Sequence, residues 1–315
     1  MQKSFKRCEK NPILTIADLP DNVGYYILNP GAVKFKDEYI LMAGVFHREG
    51  SIVFWIARSR DGYNFKFDPQ PVRMPECGDG WIENGVYDPR ITQIGEDYFI
   101  VYNSANNHLG TRLAIMKTRD FVDFTHVSLM SQVNNRNGAL FPEKINGLYC
   151  CFNRPFAGDE KSPCAMELSF SPDLVFWGKS RPVLAPRASH WDHLKVGTGA
   201  PPIRIKEGFL EIYHGVVDSS SGSTYSLWGA ILDADEPWKV IARCKAPLLF
   251  PQTDYERSGR VQNVVFTCNA LLDNGVVRMY YSAADSVIGI AEMALDDIVK
   301  CCFEDYEFMM HPENC

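Results

Sequence analysis

One short pattern returns five times along this chain, and any fold must accommodate every copy. An apolar strand runs into a Ser/Thr/Asp-rich turn and then an aromatic or apolar residue. It reads Ile56-Ala57-Arg58-Ser59-Arg60-Asp61-Gly62-Tyr63-Asn64-Phe65 first and Ile115-Met116-Lys117-Thr118-Arg119-Asp120-Phe121-Val122-Asp123-Phe124 second. Leu168-Ser169-Phe170-Ser171-Pro172-Asp173-Leu174-Val175-Phe176-Trp177 and Ala230-Ile231-Leu232-Asp233-Ala234-Asp235-Glu236-Pro237-Trp238 follow. A degenerate fifth copy is Ile290-Ala291-Glu292-Met293-Ala294-Leu295-Asp296-Asp297-Ile298. Ahead of each stands an aromatic and aliphatic strand, such as Tyr98-Phe99-Ile100-Val101-Tyr102 or Phe209-Leu210-Glu211-Ile212-Tyr213, entered through a turn such as Asn146-Gly147 or Asp273-Asn274-Gly275. Those turn residues tolerate positive φ and mark hairpins. The period, about 50 to 60 residues, suits a four-stranded sheet with its loops. Repeated antiparallel sheets of this size pack radially as blades. The expectation is an all-β fold, a five-bladed β-propeller forming a single domain over residues 1–315. Two β-sandwich domains are the alternative, but no linker or composition shift marks a boundary between them.

Composition narrows the function classes. An apolar fraction of 46% with 12% aromatics supports a buried core and excludes a disordered chain. No apolar run approaches the ~20 residues of a membrane helix. The polar segment Met1 to Lys10 has no signal-peptide core, so cytoplasmic residence is expected. The ten cysteines include no CxxC pair, which removes support for a zinc knuckle and suits buried, reduced thiols. No metal-ligand spacing appears. The net charge of −7 argues against a general nucleic-acid binder but leaves room for a local cationic pocket.

A propeller gathers the inner strands of its blades around a central channel, so polar residues at their mouths share one space. Asn29, Asp88, Arg136-Asn137, Lys195 and Asn263 stand before or on the first strands. Arg48, Asn103, Arg154, His214 and Asp285 stand at the ends of the second strands. Arg136, Arg154, Lys195 and His214 together need an anion to neutralise them. Arginine forks and a lysine point charge suit phosphate, and Asn137 and Tyr225 can add hydrogen bonds. The pocket reads as a dianion site beside a protonatable carboxylate. Singly, each residue has an ordinary structural reading: Asp88 before Pro89 starts a turn, the arginines bridge blades, His214 is a core histidine, and the glycines after Lys195 form turns. The joint register is what favours a site.

The residues then show a resemblance. The chain resembles glycoside hydrolase family 130, the β-mannoside phosphorylases and related β-mannosidases. The matches are Tyr87-Asp88-Pro89-Arg90-Ile91-Thr92, Asn135-Arg136-Asn137-Gly138-Ala139-Leu140-Phe141-Pro142-Glu143-Lys144-Ile145-Asn146-Gly147, Asn153-Arg154-Pro155, Lys195-Val196-Gly197, Tyr213-His214-Gly215-Val216, the segment from Tyr225 to Val240, and Tyr280-Tyr281-Ser282-Ala283-Ala284-Asp285. The resemblance implies a five-bladed propeller. It implies Asp88 as general acid and Arg136, Asn137, Arg154, Lys195, His214 and Tyr225 as phosphate-binding. It implies Asn29 and Asp285 as mannoside-binding; Arg48 and Asn103 join them as candidate substrate contacts. Two departures bear on sugar specificity. The family pattern places an arginine near the end of the first blade's second strand, where this chain reads Met42-Ala43-Gly44-Val45-Phe46 and offers only Arg48 beyond. Asn29-Pro30 replaces the usual Asn-Ser or Asn-Ala.

The activity implied is inverting phosphorolysis of a β-mannoside, giving α-mannose 1-phosphate and the acceptor sugar. An inverting hydrolase needs a carboxylate base to activate water. A phosphorylase needs a cationic cradle for phosphate instead. The resemblance implies that the proton of Asp88 travels through the mannosyl 3-hydroxyl. Inorganic phosphate is the co-substrate, with no cofactor, no nucleic acid and no membrane partner; a homo-oligomer is possible. Linkage (β-1,4 or β-1,2) and acceptor are open, because they depend on loops at 103–108, 157–163 and 188–193. A hydrolytic β-mannosidase and a non-catalytic sugar-binding propeller are the rivals.

Overall fold

A computed structural model describes residues 3–78, 80–156, 164–188, 190–220 and 222–310, without the side chains of Asn22, Ser219 and residues 305–310. Five antiparallel sheets form the expected five-bladed propeller. Blade I comprises Gly24–Phe35, Glu38–His47, Ile52–Ser59 and Lys66–Phe67. Blade II comprises Gly85–Ile94, Asp97–Asn106, Gly110–Thr118 and Thr125–Leu129. Blade III comprises Asn135–Leu140, Tyr149–Pro155, Met166–Ser171 and Gly178–Leu184. In blade IV the inner strand is split into Lys195–Thr198 and Ile203–Ile205, both paired with Gly208–Ser219, and Gly222–Leu232 and Val240–Arg243 complete the sheet.

Blade V closes the ring. Its strands Val265–Asp273, Val276–Ala283 and Val287–Ala294 are completed by Lys6–Arg7 from the other end of the chain, in register Lys6↔Glu292 and Arg7↔Ala291. The short polar segment before residue 10 therefore has a structural task that its composition did not announce. The fifth sequence copy needs correction beyond Ala294. Where the other blades turn, this one enters a helix, Leu295–Met310, whose Cys302 packs against Cys244 beside blade IV.

The repeated turn has a clear physical cause. Ser59, Thr118 and Ser171 accept the backbone N–H three residues on, from Gly62, Phe121 and Leu174. The following aspartates accept two further backbone N–H groups each: Asp61 from Tyr63 and Asn64, Asp120 from Val122 and Asp123, Asp173 from Val175 and Phe176. Asp233 does the same for Asp235 and Glu236. Short oxygen-bearing side chains thus satisfy a turn that the sheet ladder cannot. Between the blades, apolar faces meet in edge-on aromatic contacts, such as Phe35 with Tyr98 and Phe121, and Phe141 with Phe209.

Across the channel, Arg90 is fully buried. It donates from Nε to the Gly199 carbonyl and from Nη2 to the Thr198 carbonyl, both at 2.9 Å, and from Nη1 to the Asp88 carbonyl at 3.3 Å. The Asn269 side chain pairs with the backbone N–H and C=O of Ile91, both at 2.9 Å. These contacts tie blades IV and V to blade II behind the channel mouth. A buried arginine of this kind is tolerable because backbone carbonyls take its protons.

Candidate active site

The inner strands carry bulges where the site begins. Register breaks fall between Leu28 and Gly31, between Tyr87 and Arg90, and between Arg136 and Ala139. Inside them sit Asn29, Asp88 and Asn137 with φ of 49°, 56° and 54°. A bulge re-aims a side chain, and Asx residues enter the left-handed region more readily than most. The sequence signal is an Asn or Asp followed by Pro or Gly at the same point of three blades. Together these side chains face a cavity of about 330 Å³ that Arg136, Arg154, His214, Tyr225 and Asp285 also line.

One side of the cavity is acidic. Asp88 is buried, accepting from Asn29 Nδ2 at 2.7 Å and from Asn103 Nδ2 at 3.0 Å. Both amides leave a buried Oδ1 without a protein partner. Of the two, Asn29 lines the cavity, and its oxygen can accept from a hydroxyl group of a bound sugar. Asp285 has its carboxyl pushed up to about 6, first by burial and then by the charge of Asp88, against the opposing pull of Arg260. Arg260 Nη1 lies 3.3 Å from Asp285 Oδ2.

The facing side is cationic. Arg154 Nη1 lies 3.1 Å from His214 Nε2. A guanidinium can only donate, so Nε2 accepts and the ring proton sits on Nδ1. Burial, and then the charges of Arg154 and Arg90, push the pKa of His214 well below its ordinary value, so the ring is neutral. Burial likewise lowers the pKa of Arg154, with Arg136 adding repulsion and Tyr225 opposing both. The Nε atoms of Arg136 and Arg154 and the Nδ1 of His214 are buried without a protein partner. The His214 ring is stacked against Tyr225 and tilted against Phe266. A buried guanidinium, Arg154, and a half-buried one, Arg136, both with a spare Nε donor, form a site for an anion bearing several oxygens.

Gly197 makes this packing possible. A Cβ there would lie 2.5 Å from His214 Cε1 and 2.9 Å from Arg154 Nη1. The glycine read as a turn former is in fact a strand residue paired with His214, and its missing side chain is the space the cradle occupies.

The structure brings most of the expected residues together. Asn29, Asp88, Arg136, Asn137, Arg154, His214, Tyr225 and Asp285 line the cavity, and Asn103 braces Asp88 from behind. Lys195 is buried at the start of the blade IV inner strand, and its charge contributes to keeping His214 neutral. Arg48 is not at the cavity: it is exposed, with its guanidinium over the Tyr25 ring. Asn263 also stays off the lining and uses its carbonyl to accept from Tyr225 N. The loop at 157–163 lies outside the described residues, as does residue 189 of the loop at 188–193. Sequence reasoning missed Tyr87, Phe266 and Arg260 as lining residues. Tyr87 precedes the acid in a quoted motif, whereas Arg260 lies in an irregular linker with no repeat to flag it.

Known proteins resemble this chain over most of its length. A family model described as β-1,4-mannooligosaccharide phosphorylase matches residues 6–304. A β-1,4-mannooligosaccharide phosphorylase of Ruminococcus albus is 35% identical, over 93% of this chain and 89% of its own length. A 1,2-β-oligomannan phosphorylase of a Thermoanaerobacter species is 34% identical, over 77% of this chain and 78% of its own. The solved β-1,2-mannobiose phosphorylase of Listeria innocua, in complex with β-1,2-mannobiose, superimposes with a TM-score of 0.85 at 26% identity, covering 95% of this chain and 99% of that one. The match over nearly the whole chain, with the cavity built from the motifs that first suggested the likeness, establishes that this chain belongs to glycoside hydrolase family 130.

Proposed function

We propose that the protein catalyses reversible, inverting phosphorolysis of β-mannosides, releasing α-mannose 1-phosphate and an acceptor sugar. The observation that carries this reading is a pair of guanidiniums, Arg154 buried and Arg136 half-buried, facing an amide-braced carboxyl across one cavity. Phosphate is already a nucleophile; what it needs is neutralisation and aim. Arg136 and Arg154 supply the charge, with Asn137, Lys195, neutral His214 and Tyr225 shaping the cradle. A phosphate oxygen bonds to the anomeric carbon from the face opposite the glycosidic oxygen, and the bond to that oxygen breaks. Asp88 supplies the proton the leaving oxygen takes, relayed through the mannosyl 3-hydroxyl. The proton phosphate carried in restores Asp88, so no net proton is consumed. Asn29 and Asp285 hold the sugar, Asn103 keeps Asp88 aimed, and phosphate is the only co-substrate the chemistry requires.

Named relatives act on both β-1,4 and β-1,2 linkages, so both belong in the first assay. Among the described residues all nine cysteines are free thiols, which supports a reducing, cytoplasmic setting. No described helix is long and apolar enough to cross a membrane. Self-association remains part of the proposal, to be read from mass in solution.

A second reading deserves the same assay because Asp285 is a second carboxyl in the cavity. If Asp285 activated water, the enzyme would be a β-mannosidase. Its pairing with Arg260, on the carboxyl side rather than facing the cations, favours a sugar contact instead. Sugar release from β-1,4- and β-1,2-mannobiose, measured with and without inorganic phosphate, separates the readings. Phosphorolysis requires release to depend on phosphate; equal rates without it support hydrolysis.

A further inference from the structure

We propose that Arg260 is a specificity-determining residue that, paired with Asp285, grips the acceptor-side sugar at the lip of the cavity. The inference rests on the phosphorolysis reading above and assigns the sugar that one part of the site reads. Arg260 does not come from a blade strand. It lies on the linker between Val240–Arg243 and Val265–Asp273, just past the short helix Asp254–Arg257. Its guanidinium pairs with Asp285 and lies over the Phe46 ring, 5.0 Å from the centroid. A cation from blade V's approach thus fills the blade I rim where the strand Met42 to Phe46 carries no charge of its own.

Depth decides which sugar it meets. Asp88 is buried, while the side chains of Asp285 and Arg260 are 17% and 32% exposed. The mannosyl carbon must lie between phosphate and the acid. The leaving sugar is the part that must extend from there toward solvent, and Arg260 stands on the more exposed part of the lining. A carboxylate beside a guanidinium offers acceptors and donors side by side, which matches neighbouring hydroxyls of a pyranose. Beneath Arg260, Phe46 packs in an aromatic cluster with Tyr26 and Tyr25, ring centroids 6.4–6.5 Å apart, and Arg48 covers the outer ring, Tyr25. Tyr25 is 51% exposed. Polar handles beside aromatic rings suit a pyranose, with hydroxyls at its edge and C–H groups on its face.

The residue is held ready. Its backbone N–H donates to Ser286 Oγ at 2.8 Å. A Cβ on Gly259 would collide with that same hydroxyl and lie 2.6 Å from the Ala284 carbonyl, so the linker lies flush on blade V. The helix before it is fixed by Glu256, which is fully buried and accepts from Arg7 Nε at 2.6 Å, Tyr281 Oη at 2.8 Å and Gln252 N at 2.7 Å. Arg7 belongs to the ring-closing strand, so closure of the propeller also presets its lip. A contact that is ordered beforehand loses less entropy on binding.

The test uses the synthetic direction, with α-mannose 1-phosphate as donor and mannose, glucose and N-acetylglucosamine as acceptors. Arg260→Ala should raise the KM for the best wild-type acceptor about tenfold or more, the loss of a charge-assisted sugar contact. The donor KM and the kcat at saturating acceptor should stay within about twofold, because neither reports that contact. Arg260→Lys, which keeps the charge and packing but loses the fork, should show a smaller rise and guards against misfolding of the alanine variant. An unchanged acceptor KM, or a donor KM that rises as much, overturns the assignment. Wild-type protein inert with every acceptor, and without phosphate-dependent sugar release, would instead bring down the phosphorolysis reading and this one with it.

Discussion

Aspartates appear in two settings in this propeller, at the outer turns and at the channel mouth, and the contrast between them separates structure from chemistry. At the turns, Asp61, Asp120, Asp173 and Asp233 each accept two backbone N–H groups a few residues on, and these bonds hold their carboxyls below the ordinary range. Their oxygens are committed to the fold. At the mouth, Asp88 is held by two side-chain amides and Asp285 by one arginine. Burial and the charge of Asp88 push Asp285 up to about 6. The residue type is the same; the difference is whether the neighbouring backbone supplies the donors. Where it does, the carboxylate is a turn element. Where it does not, the acid remains available to a ligand.

The contrast is most sharply tested at Asp88. Asp88→Asn should cut kcat by about 10³-fold, the scale of a lost general acid, with the melting temperature nearly unchanged. Retained turnover would mean that the proton comes from elsewhere. The cation side should break next. Gly197→Ala puts a methyl against His214 and Arg154, and it should raise the KM for phosphate by roughly 10- to 100-fold and cost about 1–3 kcal/mol by overpacking. Initial rates against phosphate at fixed mannoside, with a denaturant melt, check both.

A turn aspartate should give the opposite signature. Asp120→Ala should cost about 1 kcal/mol, as loss of a capping-type carboxylate does, and leave kcat/KM unchanged. Its folded pKa is depressed, so its stabilisation is present above the unfolded pKa and disappears as pH falls through the folded one. The smallest effect concerns Asp285. Its folded pKa is raised, so the ionised form opposes folding above about 6, and that penalty is relieved as pH falls through about 6. Sugar binding should move the other way. The KM for mannoside should rise below about pH 6 as the acceptor carboxylate protonates, and Asp285→Asn should remove that inflection.

Much of this contrast was legible in the sequence. The outer turns announced themselves, because Ser/Thr and Asp two residues apart recur with local hydrogen bonds that act within five residues. The mouth residues were legible as a register: Asn29, Asp88 and Asn137 fall at one point of three blades because each sits in the same bulge. What escaped depends on contacts between distant segments. Lys6–Arg7 pairs with a strand some 285 residues away, and nothing local marks it as an edge strand. Arg260 enters the cavity from a linker outside the repeat. Arg48 looked suited to the blade I rim by position in sequence, but it lies over Tyr25 away from the cavity. The role of Gly197 is a steric absence, visible only once His214 and Arg154 are seen to fill the space.

The central claim is that the cations opposite Asp88 hold phosphate as the nucleophile. ³¹P NMR of the protein with β-mannobiose and inorganic phosphate tests it most directly. The account predicts loss of the phosphate signal matched by α-mannose 1-phosphate, one equivalent per bond cleaved. Cleavage that yields only free mannose, with the phosphate signal intact, would contradict it.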